Sequence, residues 1–237
     1  MHKSNPPPAF PPGDESPAAT APRERSRAQR GVSLIEVLAS LMVTSVGVLS
    51  LTSLEVVSKR NLRDASQRLQ ASQLAYSLLE RVRANSVPAA LRAYVAGAGT
   101  ALGGGRLGET APSPNCSDAT SSCTAEQMAA FDLWQWEQLL DGATERLGGT
   151  GTGPTGKKVG GLTLATACLA APATGAGAAG MYTLSIAFRG DQALPDNAAD
   201  ACGRSAVYSD GTRLYGTQDQ YRRTVTVQAW IVPVAAR

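Results

Sequence analysis

Gly31-Val32-Ser33-Leu34-Ile35-Glu36-Val37-Leu38 opens the stretch that decides how this chain is built. From Val32 to Leu54 the only charged residue is Glu36, and the rest is Leu, Val, Ile, Ala and Met with scattered Ser and Thr and one glycine, Gly47. A helix of that length measures about 35 Å at about 1.5 Å per residue, enough to cross a bilayer core of about 30 Å. Arg23, Arg25, Arg27 and Arg30 stand directly before it, so the positive-inside rule places the N-terminus in the cytoplasm and the remainder across the membrane. An ordinary secretory signal has a shorter apolar region, with its cleavage site after it rather than before. An ordinary signal anchor fits the length but leaves Glu36 without a purpose, and an intramembrane carboxylate needs a partner or a role.

The order Gly31, then Val32-Ser33-Leu34-Ile35-Glu36, resembles the class III signal of type IV pilins. In that family the leader is cut on the cytoplasmic side after a Gly, and the apolar helix stays on the mature chain with Glu at its fifth position. The family usually has Phe first, and Val32 departs mildly from that. The resemblance implies cleavage by prepilin peptidase between Gly31 and Val32 and N-methylation of Val32. It also implies an assembly role for Glu36, whose carboxylate would pair with the N-terminal amine of a neighbouring subunit.

Charge and cysteine content narrow the function further. Residues 1–31 hold five of the 22 basic and three of the 19 acidic residues, so the mature chain has 17 against 16. That near balance is no electrostatic footprint for nucleic acid. The four cysteines, Cys116, Cys123, Cys168 and Cys202, all follow the apolar run, on the side where disulfides persist. Their intervening stretches of 6, 44 and 33 residues do not match zinc-ligand pairs, and the single histidine is His2. Disulfides are therefore expected and a metal is not; of the three connectivities, sequence neighbours suggest Cys116–Cys123 and Cys168–Cys202. Without a histidine beyond residue 2, Ser–His and Cys–His nucleophile arrangements are unavailable. Gly151-Thr152-Gly153-Pro154-Thr155-Gly156-Lys157-Lys158 does not make a phosphate loop. Neither an enzyme nor a cofactor is expected.

In chain order, residues 1–22 are rich in Pro, Ala and Ser, a composition that cannot bury enough apolar surface to fold. The helix should continue past Leu54, with Leu62, Ala65, Leu69, Ser72, Tyr76 and Leu79 forming one apolar stripe against a globular partner. Asn85, Ser86 and Pro88 should stop it. Residues 97–115 read as a Gly- and Pro-rich loop. Thr124 and Gln127 form a capping box for a helix over 125–141, in which Met128, Phe131, Trp136 and Leu139 or Leu140 share a core-facing side. Strands are expected within Val159–Leu169, over Met181–Phe188 and over Arg222–Val232. A hairpin around Asp210-Gly211 should join Val207-Tyr208 to Arg213-Leu214-Tyr215.

The expected fold class is α+β and type IV pilin-like: a long N-terminal helix, transmembrane then amphipathic, packed on a small antiparallel sheet of three or four strands. The divisions are a leader over 1–31, a transmembrane half over 32–57, an amphipathic half over 58–85 and a disulfide-bearing region over 86–237. Within the family, three stretches resemble PilV-type minor pilins: Ser33–Leu41, Ala75-Tyr76-Ser77-Leu78-Leu79-Glu80-Arg81-Val82-Arg83-Ala84-Asn85, and Cys123–Trp136. That resemblance implies a low-abundance subunit that primes or modifies pilus assembly and sits at the fibre tip or within the fibre. Its partners would be prepilin peptidase, other minor pilins and the major pilin, the inner-membrane assembly platform and the lipid bilayer. It would be single-pass in the inner membrane, with its C-terminal domain periplasmic until it enters the pilus. A type II secretion pseudopilin shares Gly31 and Glu36. A DNA-binding or adhesive minor pilin is the other alternative. For it, Arg204, Arg213, Arg222 and Arg223 could converge, although basic residues near sheet edges more often protect the edge. Nucleic acid is not an expected partner.

Overall fold

The computed structural model describes residues 31–99, 101–118, 120–143, 145–148, 157–196, 199–208 and 211–235. The expectations for residues 1–30, for the glycine run 149–156 and for Asp210 lie outside these. The chain forms two units, one ending at Leu51 and one running from Thr52 to the C-terminus. Its elements are α1 (Leu34–Ala84), α2 (Pro88–Ala98), α3 (Ala125–Leu140), β1 (Arg146–Leu147), β2 (Lys157–Lys158), β3 (Thr166–Ala170), β4 (Gly180–Arg189) and β5 (Arg222–Ile231). This is the expected α+β arrangement, a long apolar N-terminal helix with a small three-stranded antiparallel sheet.

α1 runs unbroken through residues 57–60 and ends at Ala84. Pro88 does mark a boundary, but it also opens α2, an element the sequence reading missed. Val87 is extended there (φ −68°, ψ 147°), and Pro stands at the start of the helix, where its missing N–H would have had no intrahelical partner anyway. α3 is capped as its sequence demands: the Gln127 N–H donates to Thr124 Oγ1 at 3.2 Å, and the Thr124 N–H donates to Gln127 Oε1 at 2.9 Å.

In the second unit, the face of α1 that joins the core takes only Leu79 of the expected stripe as a fully buried residue. The buried residues are Ala71, Ala75, Leu78, Leu79 and Val82. Leu62, Leu69 and Tyr76 are 66%, 61% and 60% exposed, and at 3.6 residues per turn they lie about 120–160° around the helix. Small alanines let neighbouring elements approach α1 closely. The indole N–H of Trp136 on α3 reaches the Leu74 carbonyl of α1 at 2.9 Å. Leu91 and Tyr94 of α2, Leu133 and Leu140 of α3, and Tyr182, Leu184, Ile186 and Phe188 of β4 complete the same core. Of the expected α3 face, Phe131, Trp136 and Leu140 are buried, whereas Met128 and Leu139 are only partly so.

Polar ties fix the loops to this core. Glu137, fully buried on α3, accepts the N–H of Gly103 at 2.8 Å and of Leu107 at 2.6 Å, and Asp141 accepts those of Gly104 and Gly105. Beside them Glu109 meets Lys158 at 2.8 Å and Arg146 at 2.9 Å; hydrogen bonds from Lys158 and then Arg146 hold its carboxyl below the usual glutamate range. Between α1, α2 and α3, Asp132 takes a hydrogen bond from the Tyr94 hydroxyl and pairs with Arg81 at 3.1 Å. Burial and the neighbouring Asp132 push the Tyr94 hydroxyl well above its ordinary pKa.

In the sheet, β4 is central, with Leu184 opposite Leu169 of β3 and Val227 of β5. Cys168 on β3 is disulfide-bonded to Cys202, and Cys116 to Cys123. The connection between β4 and β5 folds back through Tyr215, whose hydroxyl donates toward the Leu164 carbonyl at 2.7 Å and which burial pushes up to about 12. A bridge joins Val207 to Arg213, the two arms of the expected hairpin.

α3 ends where two glycine backbones touch. Gly142 has φ +75°, and a Cβ built on it would lie 1.9 Å from the Gly161 nitrogen. An L residue there is strained twice, by the left-handed conformation and by overlap with backbone that has nowhere to move. Gly142→Ala should therefore destabilise the second unit by about 2 kcal/mol or more. Thermal unfolding checks this, and a midpoint unchanged from wild type would contradict it.

Candidate assembly site

Each unit contributes one candidate feature. In the first unit, α1 begins where the carbonyl of Ser33 accepts the N–H groups of Glu36 (3.0 Å) and Val37 (3.3 Å). Glu36 thus sits in the first helical turn, where the positive end of the helix dipole favours a carboxylate. Val32, Leu34 and Ile35 around it are exposed, and no ion pair reaches Glu36 among the described residues. α1 is long and apolar enough to cross a membrane, with a mean hydropathy of 2.1 over its most apolar window, none of it buried. Four of its hydroxyls in the apolar stretch bond back to the helix. Ser40 donates to the Val37 carbonyl at 2.9 Å, Thr44 to Ser40 at 2.8 Å, Ser45 to Met42 at 2.8 Å and Ser50 to Val46 at 3.0 Å. Such back-bonding keeps those hydroxyl protons from facing hydrocarbon, whereas the Glu36 carboxylate is the one charge between Val32 and Leu54.

In the second unit, the feature is the exposed line of Leu62, Leu69 and Tyr76 on α1. The sequence identified these residues as a packing face but assigned them to the wrong partner, since the chain's own core uses the other side of the helix. The residues raised as a basic patch do not form one. The Arg222 side chain is fully buried, bound to both Asp196 oxygens at 3.0 and 3.1 Å and to the carbonyls of Cys202 and Asp200. Arg223 is also buried, donating to the carbonyls of Gln220, Arg222 and Gln192. They serve neither as a patch nor as edge protection; they pin the loops at the start of β5. Of the four arginines, only Arg204 and Arg213 reach solvent, Arg204 with Asp196 at 3.8 Å. No group of three or more metal-ligating side chains occurs among the described residues.

Residues 53–134 match the family model described as Type IV pilin Tt1218, and residues 26–52 match the prokaryotic N-terminal methylation motif. The chain therefore carries a type IV pilin domain directly behind a methylation motif. The motif match spans Gly31, Val32 and Glu36, and the domain match spans the rest of α1, all of α2 and most of α3. No curated protein and no solved structure matches the chain.

Proposed function

We propose that this chain is a minor pilin of the PilV type, which primes or modifies assembly of a type IV pilus and enters the fibre. In this reading prepilin peptidase cuts between Gly31 and Val32, Val32 becomes the methylated N-terminus, and residues 32–57 hold the subunit in the inner membrane with the disulfide-bearing region in the periplasm. The partners are the other minor pilins, the major pilin and the assembly platform.

The observation that carries the reading is Glu36: one carboxylate, five residues after Gly31, in an exposed apolar helix that carries no other charge up to Leu54. The exposed Leu62–Leu69–Tyr76 line supports it, because a helix with an apolar face turned away from its own core is built for a second helical neighbour. A type II secretion pseudopilin would use the same features. Mass spectrometry of sheared pili, with piliation and secretion measured in a deletion strain, separates the two. The expected result is this chain at low abundance in pili and reduced piliation on its loss. Absence from pili together with a secretion defect and normal piliation would overturn the pilus assignment.

A further inference from the structure

β5 is an edge strand with an open side. The Gly190 N–H donates to the Tyr221 carbonyl at 2.9 Å, in the register that continues the β4–β5 ladder. Hydrogen-bonded and non-hydrogen-bonded pairs alternate in an antiparallel ladder, so Arg223, Val225, Val227, Ala229 and Ile231 bond to β4. The backbone groups of Thr224, Thr226, Gln228 and Trp230 point away from it, and no backbone partner meets them among the described residues. The usual guards of an edge are missing, since Thr224–Val232 has no charge, no proline and no glycine. The side chains match: Val225, Val227 and Ala229 face the core but are only partly covered.

We propose that this edge accepts a β-strand from a different subunit of the assembly, extending the sheet by one strand. The proposal rests on the assembly reading above. The donor is an uncharged alternating strand, apolar on the side of Val225 and Val227 and polar on the side of Thr226 and Gln228. Three features exclude a second copy of this chain as donor. Arg223 lies near Asp64 at 4.0 Å, and Val234 bonds to Ser86 at 3.2 Å, so β5 runs in the same sense as α1 alongside it. A two-fold antiparallel β5 pair would therefore set the two α1 segments in opposite senses. Ser58 follows directly on the proposed membrane span, 32–57, however, so in that reading the N-terminal end of this part of α1 is the membrane-proximal one in every copy. A parallel β5 pair would turn one sheet over and place Val225 and Val227 beside the polar face of the other. Head-to-tail growth would need the outer edge of β3, where Leu102 already exchanges two hydrogen bonds with Ala167 at 2.8 and 2.9 Å, so no continuous strand can pair along it. The chain is thus open along one edge and partly occupied along the other, which suits a subunit that starts or ends an array.

The test is co-purification of the full-length chain from membranes with each other leader-bearing subunit of the same system, epitope-tagged and co-expressed singly. Gln228→Pro deletes one outward N–H without touching the β4 ladder, and proline is tolerated on an edge strand. Gln228→Ala removes the side chain and keeps the amide. One subunit should be retained by wild type and Gln228→Ala and fall about tenfold with Gln228→Pro, with amide exchange at Thr226 and Gln228 slowed in the complex. Equal recovery with both variants, equal loss with both, or Gln228-dependent recovery of a second copy of this chain would each overturn the proposal. Presence in sheared pili is scored in parallel. A chain found in pili but insensitive to Gln228→Pro sinks the strand proposal alone, and an amide-dependent complex in a chain absent from pili sinks the assembly reading alone.

Discussion

Gly31→Asp should leave the chain in the membrane uncut, with no detectable product starting at Val32. Cleavage needs the backbone around the scissile bond drawn out into an extended form at the membrane surface, and a residue without a side chain is the least costly to place there. Gly31 has no heavy atom within 4 Å of the position its Cβ would take, so nothing in the fold of this chain demands a glycine. The requirement must then come from outside the chain, and a carboxylate added beside the membrane face of the peptidase opposes it by bulk and by charge. Intact-mass measurement and N-terminal sequencing of the membrane-purified chain decide the matter. Processing of Gly31→Asp at the wild-type rate, or a wild-type chain that begins anywhere but Val32, would show that cleavage is not read at this residue. Since the uncut chain keeps residues 1–31 at the cytoplasmic end of its helix, it should also be missing from pili.

What the sequence made legible follows from how local each signal is. The capping box at Thr124 and Gln127, the alternation in Met181–Phe188 and the β-branched run of Arg222–Val232 are decided by neighbours in sequence, and they appear in α3, β4 and β5. The phase of α1 was not legible, because the helix carries two apolar lines. Leu62, Leu69 and Tyr76 form a line of uniformly large side chains, but the core takes Ala71, Ala75, Leu78, Leu79 and Val82, where small residues permit close approach of α3. Hydrophobicity alone cannot say which line meets the chain's own core and which is kept for a neighbour. The pattern around Pro88 failed for another reason: a residue that ends one helix is also well suited to begin the next. Arg222 and Arg223 illustrate a third limit. Burial of a guanidinium depends on Asp196 and on backbone carbonyls from residues 192–222 converging on it, and nothing in the local sequence announces that convergence. The roles proposed for Gly31, Val32 and Glu36 rest on spacing along one stretch of sequence, while the open side of β5 required the register of the whole sheet.

Glu36→Ala should separate assembly from folding. In the lone subunit the carboxylate sits in the first turn of α1, near the cytoplasmic interface of the proposed span, where snorkelling or a local water defect keeps it hydrated. Removing it deletes a charge from the membrane segment, so the subunit should be at least as stable in the bilayer and should be cleaved normally. The need for the carboxylate arises when the helix leaves lipid and enters a helical array. In the proposed assembly it would meet the amine at the N-terminus of a neighbour, and methylation of that amine would preserve its charge. Deleting one partner of a buried ion pair leaves the other uncompensated, at a cost of about 3–5 kcal/mol. Incorporation should therefore fall by at least about tenfold while the membrane pool stays constant. The mature chain is quantified in membranes and in sheared pili for wild type and Glu36→Ala. A parallel fall in both pools would make Glu36 a folding or processing residue. No change in either would remove it from assembly altogether. A selective drop in the sheared fraction, or in total piliation at constant membrane level, is the expected outcome. Glu36→Gln should behave like Glu36→Ala, because an amide keeps the shape of the side chain but cannot neutralise an ammonium group in a low-dielectric bundle.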